Sequence, residues 1–378
     1  MEKHHNILFL SQYYTENLHR GVAQYALEAD WHLNAASARG YPVPEFKWSG
    51  IISSLFPGNR FLENFLKNGS APMVSLTKTI HCPCVISDHE AVGRCGAEHF
   101  IEQGYQNFAF YFKESDWHEK TRFHAFKSKL NSTLHRCYPI NYTPTPRART
   151  QSVEVRIRML RRVLSRIPKP VALMVPFDCL AVEALDVCQD MGLHVPKEVG
   201  ILGVNNDALI CGFTRPALSS VDDDEYRIGY EGAALLDRLM RGARLPKRPV
   251  LIQPKGVVAR KSTDLLDLTE VPDRYVAKAV RFITEHYAEP ITTNEVALAA
   301  GVSKGMLQSR FTEHIGCTIH EQIEKKRLNH AKRLLTETDL KTSSIAIESG
   351  FGSRERFSKR FKQITGVTPM EYRSSNTR

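Results

Sequence analysis

The tightest constraint on this chain is a repeat of about fifty residues in its last third. Two segments each read as a helix, a tight turn and a second helix. Val296, Ala297, Gly301, Leu307, Phe311, Ile315 and Gly316 fall over Ile345, Ala346, Gly350, Phe357, Phe361, Ile364 and Gly366, with one residue inserted just after the turn. In each copy a short apolar-periodic helix stops at a glycine, the residue that best takes the positive φ of a helix C-terminus. Ser303 or Ser353 then stands ready to cap the next helix.

The second helices gather their large apolar residues on one face: Met306, Leu307, Phe311 and Ile315 in the first, Phe357, Phe361 and Ile364 in the second. The opposite faces offer Lys304, Gly305, Gln308 and Ser309, and Arg354, Glu355, Arg356, Ser358 and Lys359. Arg, Lys and Gln carry donors that suit base edges and phosphates in a major groove wide enough for a helix. The competing explanation, a helical bundle with a merely solvated basic face, is weakened by the duplication. Residues 318–336 read as one continuous helix between the copies. At 1.5 Å per residue it spans about 30 Å, close to the ~34 Å between equivalent groove faces one DNA turn apart.

With these offsets laid out, the last hundred or so residues resemble the DNA-binding domain of the AraC/XylS family of bacterial transcription regulators. The resemblance rests on Val296-Ala297-x-x-Ala300-Gly301-Val302-Ser303, Leu307-Gln308-x-x-Phe311, Arg327-Leu328-x-x-Ala331-x-x-Leu334-Leu335, Ser349-Gly350-Phe351, Phe357-Ser358-x-x-Phe361-Lys362 and Gly366-x-x-Pro369-x-x-Tyr372-Arg373. It implies promoter DNA as partner, and it puts Gly305, Gln308 and Ser309 with Arg354, Glu355, Arg356 and Lys359 on groove-facing positions.

At 378 residues the chain is too long for one ordinary core. The net charge of +10 favours a polyanionic partner, and 18 Lys and Arg against 13 Asp and Glu from Glu270 onward place half of that excess in under a third of the chain. The apolar run near the start, residues 7–10, is too short for a secretory signal or a membrane span, so a cytoplasmic protein is expected. Of the eight cysteines only Cys82 and Cys84 are close, and no second pair or His cluster stands at metal-site spacing. Neither a metal nor a cofactor is expected.

Residues 1–260 alternate short apolar runs with amphipathic helices, the pattern of a doubly wound α/β fold. Strands are predicted at 7–10, 50–53, 73–75, 85–87, 108–112, 171–175, 199–204 and 219–221, with helices between them. That number suits two lobes side by side. Ligands in such folds sit beyond the carboxyl ends of the strands, which singles out Ser11-Gln12-Tyr13, Asp88-His89, Lys113 to Trp117, Phe177-Asp178 and Asn205-Asn206-Asp207.

These stretches resemble the effector domain of LacI/GalR repressors, built like periplasmic sugar-binding proteins. The carriers are Asp88-x-x-x-x-Gly93-x-x-x-x-Glu98-His99-Phe100, Arg122-x-x-Ala125-Phe126, Phe177-Asp178-x-x-Ala181 and Val195-Pro196-x-x-Val199-Gly200-Ile201-Leu202-Gly203-Val204-Asn205-Asn206. The resemblance implies sugar contacts from Arg122, Asp178, Asn205 and Asn206, with Asp88 near the cleft, and a monosaccharide such as xylose as effector. Trp117 and Phe177 are candidate stacking faces for a sugar. Two departures stand out: Asn205 where the family commonly has Asp, and Phe177 where it commonly has a polar residue. From the residues alone, Asp88 and Asp178 serve equally as helix caps, and Asn205-Asn206 as turn formers.

The expected architecture is therefore an α/β two-lobed periplasmic-binding-protein-like domain (1–260), a linker (261–271) and an all-α domain with two helix-turn-helix motifs (272–378). The expected function is a sugar-responsive, homodimeric DNA-binding regulator, most simply an activator engaging RNA polymerase, with no membrane association. A DNA-binding protein with a ligand-dead dimerisation domain is the main alternative. A sugar-acting enzyme ranks lower, because no phosphate loop, dinucleotide fingerprint or nucleophile elbow occurs.

Overall fold

The computed structural model of the chain describes residues 5–376 except for 13, 40, 42, 44–45, 56–70, 79–81, 134, 144–152, 244–245, 247 and 266–272. The first lobe opens with β1 (Asn6–Ser11), α1 (Glu16–Glu28), β2 (His32–Asn34), β3 (Gly50–Ser54), β4 (Met73–Ser75) and β5 (Val85–Ser87). The second lobe follows with α2 (His89–Glu102), β6 (Asn107–Phe112), α3 (Trp117–Asn131), β7 (Arg136–Asn141), α4 (Val153–Leu164), β8 (Val171–Met174), α5 (Asp178–Asp190), β9 (Val199–Val204), the short α6 (Ala208–Cys211) and β10 (Ser219–Asp222). Then α7 (Glu225–Met240) returns to pack on α1, β11 (Val250–Ile252) pairs with β5, and β12 (Gly256–Val258) crosses back to pair with β10.

The first-lobe sheet runs β2-β1-β3-β4, all parallel, and a Ser75–Cys84 bridge continues it toward β5-β11. The second runs β12-β10-β9-β8-β6-β7 and is parallel except at β12. Both central strand sets are buried on both faces, as helices on either side of a parallel sheet require. Four strands were not anticipated: β2, β7, β11 and β12. All are short or at a sheet edge, and β7 contains Pro139, a residue that edge strands tolerate because one side of the ladder is unpaired.

The chain crosses between lobes at Asp88, at Asp222–Asp224 and at 253–255, and the three crossings are tied to one another. Gln253 donates to Asp88 (2.7 Å), Lys255 pairs with Asp224 (2.9 Å), and the Lys255 N–H donates to the Asp222 carbonyl (2.8 Å). The second lobe holds the chain slightly past the expected boundary at 260. Ser262 is fully buried, donating to the Ile201 carbonyl and accepting from the Ser219 N–H, and Thr263 sits 2.8 Å from the His99 ring. Of the expected linker, 266–271 lie outside the described residues.

The C-terminal part contains α8 (Arg274–His286), α9 (Thr293–Ala300), α10 (Lys304–Ile315), α11 (Ile319–Glu337), α12 (Thr342–Glu348), α13 (Arg354–Thr365) and α14 (Pro369–Asn376). It has two cores. Val276, Val280, Ile283, Val296, Leu307 and Phe311 build the first, closed by Ile319 and Ile323 at the start of α11. Leu328, Ala331 and Leu335 from the rest of α11 build the second with Ile345, Phe351, Phe357 and Phe361. The repeat is realised in detail: Gly301 (φ 79°) and Gly350 (φ 82°) are left-handed, and Ser303 and Ser353 accept from the N–H groups of Met306 and Arg356. Met306 and Ile364, expected inward, are substantially exposed; one aromatic and one aliphatic or aromatic anchor per helix suffice for these small cores.

Close approach of α2 to α3 depends on Gly93. A Cβ there would fall 2.2 Å from the Arg122 carbonyl oxygen, which is backbone and has no rotamer to yield. Gly93→Ala is expected to lower stability by about 1–3 kcal/mol in urea unfolding. Gly305→Ala, with nothing near its added methyl, is expected to leave stability unchanged or higher.

Candidate ligand cleft and nucleic-acid interface

At the mouth between the lobes, Arg122 on α3 is the hub. It is 2% exposed, and three of its five N–H donors are engaged: Nε donates to His89 Nδ1 (3.2 Å), one terminal nitrogen to the Pro176 carbonyl (2.6 Å) and the other to Asp223 (3.3 Å). Burial and the neighbouring guanidinium hold the His89 imidazole well below its ordinary pKa, so it is neutral and able to accept. Burial likewise lifts Asp223 to about 6, against the pull of Arg122, and raises Glu225 well above the usual carboxylate range, with Asp223 adding to the effect.

Aromatic faces surround this hub. Phe177 is half-buried, 5.7 Å from the Arg122 guanidinium and 5.4 Å from the His118 ring; Trp117 is 41% exposed, edge-on to His89, with the Lys78 ammonium 4.2 Å from its ring. Asn205 (φ 104°) and Asn206 (φ 51°) are both left-handed, a conformation Asn adopts more readily than most residues. Asn205 donates to Glu225 (3.0 Å) and lies 3.5 Å from Asp223. Arg122, Phe177, Trp117 and Asn205 are thus brought together.

Three other sequence candidates sit differently. Asp88 caps α2, accepting from the Ala91 N–H (2.9 Å), and its other oxygen takes the Gln253 hinge bond. Asp178 is 2% exposed and does not cap α5. Its carboxylate turns into the second lobe, accepting from Ser220 (2.6 Å), the Asp207 N–H (2.8 Å) and the Cys211 thiol (3.3 Å), and burial lifts it to about 6. Asn206 bridges Asp222 and Arg260. These three shape the cleft's frame. His89, Asp223 and Glu225 line it instead; His89 was among the strand-end residues singled out from the sequence, and the signal for the other two was the acidic run Asp222–Glu225 at the end of a strand.

Asp116, His118 and Glu119 also bring three metal-type donor atoms within 4.8 Å of one another. Protein groups engage them: His118 Nδ1 meets Asp116 at 2.5 Å, and Glu119 accepts from the Lys113 N–H (2.7 Å) and the Tyr142 hydroxyl (2.9 Å). The group fixes the start of α3, and so the register of Arg122.

In the C-terminal part Lys304, Gly305 and Ser309 of α10 are exposed and Gln308 is half-buried; Arg354, Glu355, Arg356 and Lys359 of α13 are exposed and Ser358 is half-buried. Each of these helices is fastened by an arginine at the same position of the repeat. Arg310 pairs with Asp273, the N-cap of α8 (2.5 Å), and Arg360 makes a two-pronged pair with Glu324 of α11 (2.8 and 2.5 Å). Among the basic residues of the two helices these two orient the helix, leaving the others for a partner. The repeat alignment carried this signal, an Arg directly before the buried Phe in both copies. No helix among the described residues is long and apolar enough to cross a membrane.

Residues 97–263 match the model of a periplasmic binding protein-like domain and residues 296–375 that of a helix-turn-helix domain. Over 394 aligned residues the chain is 28% identical to the xylose operon regulatory protein of Escherichia coli (strain K12), covering 99% of this chain and 98% of that one. The solved structure of the xylose-binding transcription activator xylR is similar along the entire length of both chains, with TM-score 0.59 and 27% identity. A LacI family transcriptional regulator from Mycobacterium smegmatis shares the fold over 68% of this chain and 98% of its own (TM-score 0.56, 20% identity). The architecture anticipated from the sequence, a periplasmic-binding-protein-like α/β domain followed by a helical domain with helix-turn-helix motifs, is borne out.

Burial raises Glu119 from 4.5 to about 7 in the folded chain. Folding therefore favours its protonated form, a contribution complete below about pH 4.5 and lost as pH rises through about 7. Glu119→Gln removes this dependence. In denaturant unfolding, the stability of the variant relative to the parent is expected to rise between about pH 5 and about pH 8.

Proposed function

We propose that this chain, a periplasmic-binding-protein-like domain joined to an AraC-type helix-turn-helix domain, is a sugar-responsive regulator of transcription. The observation that carries this reading is likeness over the whole length, both domains in the same order, to regulators of a xylose operon. The effector domain runs to about Thr263, the linker follows, and the DNA-binding domain starts at Asp273.

In this reading a monosaccharide, with D-xylose the first to try, enters the cleft and draws hydrogen bonds from Arg122 and Asn205 while Phe177 and Trp117 cover its C–H face. A planar guanidinium already held by three protein acceptors loses little freedom on binding, which keeps the cost of association low. Asp88, Asp178 and Asn206 act through the frame they hold. Closure of the lobes shifts the population of DNA-competent states of a homodimer, whose output is activation through RNA polymerase.

The reading helices α10 and α13 enter successive major grooves, with Lys304, Gln308 and Ser309 on one and Arg354, Glu355, Arg356, Ser358 and Lys359 on the other; Gly305 permits close approach of the first. The route from cleft to DNA runs along α2. Its first residue, His89, touches Arg122, and its last, Glu102, pairs with Lys332 of α11 (3.2 Å).

Two measurements test the proposal. A gel shift or footprint on DNA upstream of neighbouring sugar-use genes is expected to change on adding the sugar, and no change with any pentose or hexose would remove the regulator's sugar response. In salt titrations, Arg356→Ala is expected to reduce the slope of log K against log salt by about 1. Arg360→Ala, whose charge is held by Glu324, is expected to leave that slope intact while lowering unfolding free energy by about 1 kcal/mol.

A further inference from the structure

Glu225 contacts both lobes at the hinge. It opens α7 on the first-lobe side of the hinge, and it accepts from Asn205 at the end of the second-lobe strand β9. The bond therefore joins the lobes across the floor of the cleft. Asn205 stands where the resembled repressors commonly have an aspartate. With Asp223 and Glu225 already present, an aspartate at 205 would put a third carboxylate on this spot, and an amide donates to the pair instead.

On the other side of the two carboxyls stand two hydroxyls. Ser87 at the end of β5, 4% exposed, is next to Asp223; Thr15 at the start of α1 is next to Glu225. Both Oγ atoms are buried, each with the neighbouring carboxyl as its polar contact. They lie at the carboxyl ends of first-lobe strands or just beyond them, where ligands of such folds bind.

We propose that Glu225 is the specificity-determining acceptor of the cleft: it takes a hydrogen bond from a hydroxyl of an uncharged sugar, in the position facing Thr15, and latches the lobes around it. This deepens the sugar-binding reading above and rests on it. The acceptor role has moved from the end of β9 to the start of α7, on the opposite lobe. Against the single guanidinium of Arg122 stand the carboxyls of Asp223 and Glu225, an arrangement that disfavours a ligand bringing a further negative charge. Sugar phosphates and sugar acids are excluded in consequence.

The test is a calorimetric and thermal-shift titration of the full chain with pentoses and hexoses, their phosphates and their uronic or aldonic acids. An uncharged sugar is expected to bind, and Glu225→Gln to weaken it by about tenfold or more. The exchange Asn205→Asp with Glu225→Ala, which returns the acceptor to the strand end, is expected to regain most of that loss. Should E225Q fail to fold, Glu225→Asp, one methylene shorter, carries the same expectation. Sugar binding unchanged in E225Q overturns the role of Glu225 and leaves the sugar reading standing. Preferential binding of a phosphate or acid overturns the ligand class. No binding by any member of the panel overturns the sugar reading and this inference with it.

Discussion

A single helix that must complete two hydrophobic cores governs the geometry of the DNA-binding half. The first turns of α11 lend Ile319 and Ile323 to one bundle, and the remainder lends Leu328, Ala331 and Leu335 to the other. Neither core is whole without it, so neither can rotate independently without exposing apolar surface. Arg327 sits at the changeover, largely buried, and donates to the carbonyls of Tyr287 and Glu289 in the first bundle (both 2.6 Å). Gly350 of the second bundle meets the same spot so closely that a Cβ would lie 2.6 Å from the Tyr287 oxygen and 2.8 Å from Arg327 Nε. Its positive φ and its missing side chain are both needed there. Nineteen helical residues span about 28 Å, so α11 ties the two bundles together as one stiff unit.

The cleft follows an electrostatic logic of its own. One buried guanidinium faces several carboxyls, and burial resolves the imbalance by raising acid pKa values and keeping His89 neutral. Arg122 thereby acts as the donor around which neutral acceptors and one carboxylate are organised. Its register is set from outside the cleft, by the Glu119 contacts at the start of α3 and by the absence of a side chain at Gly93.

Much of the fold was legible in the sequence because its signals are local. A glycine stop, a serine cap and apolar periodicity each describe a few consecutive residues, and their duplication at a fixed interval identified the C-terminal part. The parallel sheets showed as apolar runs for the same reason. Edge elements escaped because their pairing is decided by distant partners: β7 carries Pro139 and polar positions, and reads as a strand only beside β6. Site residues divide in the same way. Arg122 and Phe177 were legible through the resemblance. The inward turn of Asp178 was not, since it depends on Ser220, Asp207 and Cys211, which arrive from two other segments. Glu225 was hidden within an acidic run whose members take four different directions once the hinge is formed.

Coupling between the two halves requires a stiff element with one end in each, and α2 meets that requirement. Its N-terminus is pinned by Asp88 to the hinge strand at Gln253, and its first residue accepts from Arg122. Its C-terminal turns carry His99, bonded to Thr263 just before the linker, and Glu102, bonded to α11. Fourteen residues of helix transmit displacement over about 20 Å without internal slack. The contact on α11 lies on its second-core half, beyond Arg327, so a movement of α2 acts first on the bundle that presents Arg354, Arg356 and Lys359. Because α11 completes both cores, the first bundle must follow. The same helix that completes both helix-turn-helix cores is thus the one that the α/β domain contacts through Glu102.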